Sequence, residues 1–160
     1  MRPKNLSSEA IVLARKNYSE ADRIIILYSK GNGKLSVIAK AVRKPKSKKR
    51  GGLEVFSRIK FSAVRGKNLD ILTEVEVIDQ FDPIRHDLKK VSVAFFLTEV
   101  VGRLTRDEEE NITYYDYIIS SLKKLSNTSE TRKLREDFIY NSLVILGFWP
   151  RAFENIEFIK

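Results

Sequence analysis

Six cations occur within eight residues in the first third of the chain, the strongest concentration of one chemistry in the sequence. Proline, serine and glycine lie among and after them, which predicts a loop rather than a helix. Mutual repulsion destabilises such a loop until an anion binds, and phosphates are the natural anions because their neutralisation releases condensed counterions. The alternative is a solvated hairpin tip. We call this segment the basic loop, and its cations are Arg43, Lys44, Lys46, Lys48, Lys49 and Arg50.

Further cations flank the basic loop in sequence. Arg58 and Lys60 lie on the polar face of one predicted strand, and Lys34 and Lys40 lie on the polar face of another. Because alternate residues of a strand share a face, several of these side chains are expected to lie on one surface. The alternative is scattered charge that aids solubility. With the basic loop, Arg58 and Lys60 complete the predicted set of phosphate-contacting cations.

Aromatic side chains near these cations are candidates for stacking on nucleobases. Tyr18, Tyr28, Phe56 and Phe61 occur in the same half of the chain. Tyr18 lies in a predicted turn and is the one expected to be exposed. Phe56 and Phe61 have opposite parity on one predicted strand, so only one should face the core unless a bulge intervenes. For each of the four, packing in or around a core is the competing interpretation.

The sequence offers no recognisable catalytic or metal-binding group. The chain has no cysteine and a single histidine, His86, so no nucleophile–base pair is apparent. The Gly-Asn-Gly at 31–33 lacks the helix and lysine of a phosphate loop and is interpreted as a hairpin turn. Four consecutive acids at 107–110 do not converge on one ion without a fixed loop geometry. We therefore predict a protein that is not an enzyme, with no cofactor and no metal.

The net charge of +9 is confined to the first half of the chain. Residues 1–82 hold 18 Lys/Arg against 9 Asp/Glu, whereas residues 83–160 hold 12 of each. A basic half indicates an acidic partner: nucleic acid first, an anionic membrane surface second, and an acidic protein tail third. No apolar run is long enough to span a bilayer and no signal peptide is evident, so a cytoplasmic protein without a membrane partner is expected.

The secondary structure that must position these residues is predicted to change from strands to helices near residue 82. Strand-like alternation predicts strands near 11–13, at 23–29, 34–42, 53–64 and 69–81, with the acidic face of the last one solvated. Five antiparallel strands of this size usually close into an OB-fold or SH3-like barrel, and the strand lengths favour the OB-fold. The predicted first domain is residues 1–82.

Helical periodicity replaces the strand pattern after Pro83. The first helix begins at the predicted N-cap Asp87 and carries a wide apolar arc that includes Leu88, Val91 and Phe95. A second helix follows the acidic run, and a third begins near residue 128 and ends before Gly147. The predicted second domain is residues 83–160, with about three helices, which makes the fold class α+β.

Several segments then occur in a characteristic order. They include a Tyr-x-Glu-x-Asp turn at Tyr18, Glu20 and Asp22, a strand at 33–43 that leads into the basic loop, and segments at 9–13, 53–56, 72–79 and 146–150. This ordered set resembles the RecO family of bacterial recombination and repair mediators. The match covers most of the chain.

The resemblance implies an N-terminal OB-fold that binds single- and double-stranded DNA, followed by a helical domain. It also implies strand annealing, assistance with RecR in loading RecA, contact with the acidic C-terminal tail of single-strand-binding protein, and association with the nucleoid. The basic-loop residues are the ones expected to contact DNA. Arg132 and Arg135 are assigned to tail binding because a basic, partly apolar groove suits an acidic–aromatic peptide.

The sequence departs from the family pattern near its end. Many members carry paired zinc-binding cysteines after the segment that Leu146-Gly147-Phe148-Trp149-Pro150 resembles, and they continue well beyond it. This chain has none and ends at Lys160. We expect either a zinc-free member or a shortened one. Two other functions remain open: an RNA-binding OB-fold protein of translation or ribosome assembly, and a non-catalytic adaptor for acidic protein tails.

Overall fold

The structure, a computed structural model, describes residues 4–44 and 53–150. Five strands form the first part of the chain, and the short glycine-containing turn at 30–32 joins the second to the third as predicted. The strands are β1 (Asn5–Tyr18), β2 (Asp22–Ser29), β3 (Gly33–Ala39), β4 (Arg58–Val64) and β5 (Asp70–Asp79).

The five strands close into a barrel in the order β1-β2-β3-β5-β4. The long strand β1 makes closure possible, because its first half pairs with β4 and its second half with β2. A bulge between Val12 and Ala14 bends β1 between these two partners. The remaining seam is a short parallel pairing of β3 with β5 at Val37 and Ile38. The predicted fold class, an α+β chain with a five-stranded OB-fold barrel followed by helices, is confirmed.

The barrel interior is filled by alternate residues of β2 and β3. Ile25 and Leu27 of β2 and Leu35 and Val37 of β3 are buried there, as the alternation predicts. Each such side chain stabilises the fold by about 1.5–3 kcal/mol relative to leaving it in water. The alternate residues point outward, so Tyr28 and Lys34 lie on the outer face of the barrel.

The prediction of one continuous strand over 53–64 was wrong. β4 begins only at Arg58, and the preceding residues form turns in which Phe56 adopts a left-handed backbone with φ of 59°. Hydrogen bonds from Phe56 N–H to Val12 O (2.8 Å) and from Val12 N–H to Ser57 O (3.0 Å) hold this turn against β1. Phe56 and Phe61 are therefore both buried, but in two different hydrophobic clusters.

The alternation predicted for β5 fails at its two ends. The pairing of β5 with β4 has two register shifts, at which Thr73 and Ile78 have no partner residue on β4. Each shift interrupts the alternation, so the strand turns its other set of residues toward the barrel interior beyond that point. Leu72 is buried before the first shift, and Val75 packs against the barrel core after it. Glu74 and Glu76 are exposed, which agrees with the predicted acidic face.

Up to residue 150, where the described part of the chain ends, four helices follow the barrel, one more than predicted because Pro83 lies in a separate single turn of helix. They are α1 (Asp82–Arg85), α2 (Leu88–Leu104), α3 (Ile112–Asn127) and α4 (Thr131–Ile145). Asp87 is the N-cap of α2, as predicted, and accepts hydrogen bonds from the Lys89 and Lys90 N–H groups. After α4 the chain turns at Gly147, whose φ of +82° favours glycine.

The core-facing side of α2 is narrower than the sequence predicts. Val93, Ala94, Leu97 and Val101 are buried, whereas Leu88 is 87% exposed and Phe95 is 49% exposed. The barrel and the other helices cover only one side of α2, so the apolar residues at the edges of its apolar face remain exposed to solvent.

Barrel and helices share one hydrophobic cluster. Leu13 and Tyr28 on the outer face of β1–β2, together with Phe56, pack with residues of α2, α3 and α4 such as Leu97, Tyr114 and Phe138. Tyr28 meets Tyr114 edge to face at 5.7 Å between ring centroids. The division into domains 1–82 and 83–160 stays a prediction.

Replacing Asp87 by Ala tests the cap of α2. Loss of its two backbone hydrogen bonds should lower the free energy of unfolding by about 1 kcal/mol in denaturant titrations. Glu130→Ala is the matched control, since Glu130 is the N-cap of α4 but makes no side-chain capping bond. Equal destabilisation by the two changes would contradict the assignment of Asp87 as a stabilising N-cap of α2.

Candidate nucleic-acid interface

Arg43 and Lys44 are the residues of the basic loop that the structure describes. Hydrogen bonds hold this start of the loop against the turn between β1 and β2. The Arg43 guanidinium donates to the Ser19 carbonyl at 3.0 Å, and the Arg43 N–H donates to the Ala21 carbonyl at 2.9 Å. The Asp22 carboxylate accepts from the Ala41 N–H at 2.7 Å. These contacts bring Arg43 and Lys44 to the end of the barrel where β1 ends and β2 begins.

Other cations gather at this end of the barrel. Lys16 on β1, Lys40 after β3 and Lys44 are exposed, and none of the three forms an ion pair within the described parts of the chain. Tyr18, which was predicted to be exposed, is 49% accessible at the same end. We call Lys16, Tyr18, Lys40, Arg43 and Lys44 the basic end. Lys46, Lys48, Lys49 and Arg50 lie outside the described residues.

Arg58 lies in a partly buried network of hydrogen bonds instead of on an open surface. Its guanidinium donates to the Glu9 carboxylate at 2.6 and 3.0 Å, and the Tyr115 hydroxyl of α3 donates to the same carboxylate at 3.2 Å. The Arg58 hydrogen bond holds the pKa of Glu9 below its ordinary value, against the opposing effect of burial. A DNA contact by Arg58 stays a prediction, and the geometry gives this residue a structural role.

Lys60 is exposed on β4, but its neighbours are acidic. The register places it between Glu9 of β1 and Glu76 of β5. Lys34, on β3, donates instead to the Gly102 and Thr105 carbonyls at the end of α2, at 2.8 and 2.7 Å. The cations predicted to share one barrel surface thus have separate roles, and contact of Lys60 with DNA stays a prediction.

The aromatic candidates separate clearly by burial. Tyr28, Phe56 and Phe61 are buried, which favours the packing interpretation for each of them. Sequence reasoning missed Phe95, because helical periodicity placed it with the core of the second domain. Its position follows from its contact with Phe56, which lies 39 positions away in the sequence and is placed by the turn before β4, so no local pattern could indicate it.

Phe95 borders a groove between the outer face of the barrel and α2. The groove has a volume of about 640 Å³ and a mostly apolar lining. Arg15 and Arg103, at its rim, are paired with Glu54 at 3.0 Å and Glu99 at 2.9 Å. The lining comprises Leu13, Ala14, Arg15, Ile26, Lys34, Ser36, Val55, Phe95, Thr98, Glu99, Gly102, Arg103 and Asp107.

Arg132 and Arg135 lie at a separate, shallow groove between α2 and α4. The Arg135 guanidinium lies 4.3 Å from the centre of the Phe96 ring, and Ile139 adds apolar surface beside it. Arg132 is 94% exposed and pairs with Glu136 at 3.4 Å. The groove is therefore basic and partly apolar, as assumed for tail binding, but that role stays a prediction.

Within 4–44 and 53–150, no three His, Cys, Asp or Glu side chains are grouped so that they could hold a metal ion. No helix in these same ranges is long and apolar enough to cross a membrane.

A five-stranded OB-fold barrel followed by helices defines the structural class of this protein, and such barrels are a common scaffold for binding oligonucleotides and oligosaccharides. The family described as "Recombination protein O N terminal" matches residues 1–81, and "Recombination protein O C terminal" matches residues 85–156. The chain belongs to the RecO family.

Curated relatives support the same assignment. Proteins named DNA repair protein RecO are 31% identical over 147 residues in Pelotomaculum thermopropionicum and 32% identical over 149 residues in Moorella thermoacetica. These alignments cover 92% and 93% of this chain but 57% and 55% of the relatives. The chain thus spans little more than half the length of these relatives.

Glu9→Gln tests the partly buried network through its pH dependence. A carboxyl whose pKa is lowered by folding stabilises the fold above its unfolded pKa, near 4.5, and loses that contribution as the pH falls through the folded pKa. At pH 7 the variant should be less stable by about 1.5 kcal/mol, the value of one charge-assisted hydrogen bond. The difference from the wild type should shrink below pH 4.5. A deficit that stays constant from pH 7 to pH 3 would refute the account.

Proposed function

We propose that this chain is a non-catalytic DNA-binding protein of DNA repair and recombination that holds single strands at the basic end of its barrel. The observation that carries the proposal is the clustering of exposed lysines and an exposed tyrosine around the start of the basic loop. Phosphates neutralise the lysines, and a base stacks on Tyr18. The relatives named DNA repair protein RecO support the biological role.

One finer step rests on the basic end, and the others rest on membership of the RecO family. A cluster that neutralises phosphates can screen two backbones at once, so annealing of complementary strands is part of the proposal. Assistance to RecA loading together with RecR, contact with double-stranded DNA, and a cytoplasmic location at the nucleoid complete it. A chain that binds single-stranded DNA but never accelerates annealing would remove the annealing step alone.

The acidic face of β5 supports the choice of the basic end. Glu74 and Glu76 are exposed on β5, and the acidic surface that they form would repel a phosphate backbone. The bound strand is therefore directed toward the β1–β2 turn and the basic loop.

Changing Lys40 and Lys44 to Ala should weaken binding of labelled oligo-dT and reduce its salt dependence. For roughly four to six phosphate contacts, log K should fall with log salt at a slope of about −3 to −4, and losing two contacts should make the slope shallower by about 1.4. Fluorescence anisotropy across a salt series measures both quantities. Removing Lys46, Lys48, Lys49 and Arg50 should weaken binding further without unfolding the barrel.

The matched control removes the same charge elsewhere. Lys123 and Lys124 are exposed on α3, away from the barrel end, and their change to Ala should leave slope and affinity close to the wild type. Equal losses in the two double variants would mean that only net charge matters. Tighter binding of matched RNA than of DNA would favour the RNA-binding alternative.

The groove at Arg132 and Arg135 supports a second proposal, capture of the acidic tail of single-strand-binding protein. An acidic peptide ending in an aromatic residue pairs its carboxylates with the arginines, and its ring packs beside Phe96 and Ile139. This contact would also serve the adaptor alternative.

Replacing Arg132 and Arg135 by Ala should weaken binding of such a peptide by about tenfold or more, measured by calorimetry. Lys133→Ala is the control, because Lys133 is exposed on the same helix but is absent from the groove lining. Oligo-dT binding should be unchanged in both variants. Peptide binding that survives loss of both arginines would place the tail site elsewhere.

A further inference from the structure

Phe95 is 49% exposed, yet its ring packs against a neighbouring aromatic ring. Its ring meets that of Phe56 edge to face, with centroids 5.8 Å apart and planes at 89°. Arg85 stacks on Phe56 at 4.0 Å, and its guanidinium is fixed by the Gln80 and Val55 carbonyls and the Ser57 hydroxyl. A ring supported in this way loses little conformational entropy when a second planar group packs against it.

The groove beside Phe95 has the size and chemistry for a planar, mostly apolar group. Its volume of about 640 Å³ lies in the range of small-ligand pockets, and Leu13, Ala14 and Ile26 provide an apolar floor. Both arginines at its rim are already paired with carboxylates. The groove is therefore suited to a base, whose recognition needs a stacking face, and poorly suited to a phosphate.

The groove is continuous with the basic end along β1. Leu13, Ala14 and Arg15 line it, and Lys16 and Tyr18 follow on the same strand. At about 3.3 Å per residue, Ala14 and Tyr18 are about 13 Å apart, a distance that about four stacked nucleotides span. A strand held by its phosphates at the basic end can thus place a base over Phe95.

We infer that Phe95 of α2 is a base-stacking residue, so that the helical part of the chain contributes directly to the single-strand site. This inference rests on the proposed DNA binding and assigns it a second, uncharged contact. Its energetic signature differs from that of the lysines: stacking on a ring releases no counterions, so it adds affinity without adding salt dependence.

The test compares Phe95→Leu with the wild type on oligo-dT and on an abasic oligomer of the same length. Leucine keeps an apolar side chain but removes the π face, and Phe95 is exposed enough for the variant to fold, which circular dichroism verifies. Loss of one stacked base should weaken oligo-dT binding by about 5- to 20-fold, with the salt slope unchanged. On the abasic oligomer the two proteins should bind equally.

A fluorescent reporter gives an independent measurement. Trp149 is the only tryptophan of the chain, so Phe95→Trp combined with Trp149→Phe places a single indole at the groove. Oligo-dT should quench its emission, and the abasic oligomer should not.

The outcomes separate this inference from the proposed function. Salt-steep oligo-dT binding that Phe95→Leu leaves unchanged would overturn the stacking role and keep the DNA-binding proposal. An equal loss on dT and abasic oligomers would also overturn it, because the effect would not involve a base. Unaltered DNA binding with weaker capture of an acidic peptide would identify the groove as a protein-docking site. A wild-type chain that binds no DNA would refute both proposals.

Discussion

Burial of the outer face of β1 and β2 by the helices is the constraint on which the other features of this molecule depend. Leu13 and Tyr28 point away from the barrel interior and would be exposed in an isolated barrel, yet α2, α3 and α4 cover them. Burial, with a smaller contribution from the Glu109 carboxylate, raises the pKa of Tyr28 to about 12, so its hydroxyl stays neutral. The Glu9–Arg58–Tyr115 network reinforces the same junction. Because the helices occupy this face, it is closed to a nucleic acid.

The same constraint divides the cations of the first half into two groups. Arg58 and Lys34, together with Arg85 from α1, make hydrogen bonds that join strands, turns and helices. Lys40 and Lys44 are exposed where the basic loop leaves the barrel. The excess charge in the sequence is therefore not a measure of the number of phosphate contacts, since part of it stabilises the fold.

Local signals predicted much of this architecture. Strand alternation, the glycine turn after β2, the N-cap Asp87 and the change of period near Pro83 are encoded within a few residues each, and the structure contains all of them. The left-handed turn at Phe56 and the unmatched Thr73 were missed, because each depends on pairing with a distant strand. The candidate site was likewise predictable only where the signal is local. The exposure of Tyr18 followed from a predicted turn. The structural roles of Arg58 and Lys34 depend on partners 49 and 68 positions away in the sequence, which no local pattern indicates.

The most direct test of this account is amide hydrogen exchange of the whole chain with and without single-stranded DNA. Bound DNA should slow exchange in the β1–β2 turn and in the segment from Lys40 to Lys44, and leave the acidic strand β5 and helix α4 unchanged. Protection of β5 or α4 without protection at the β1–β2 turn would contradict the account, because the strand would then bind where the charges oppose it or where no site is proposed for it.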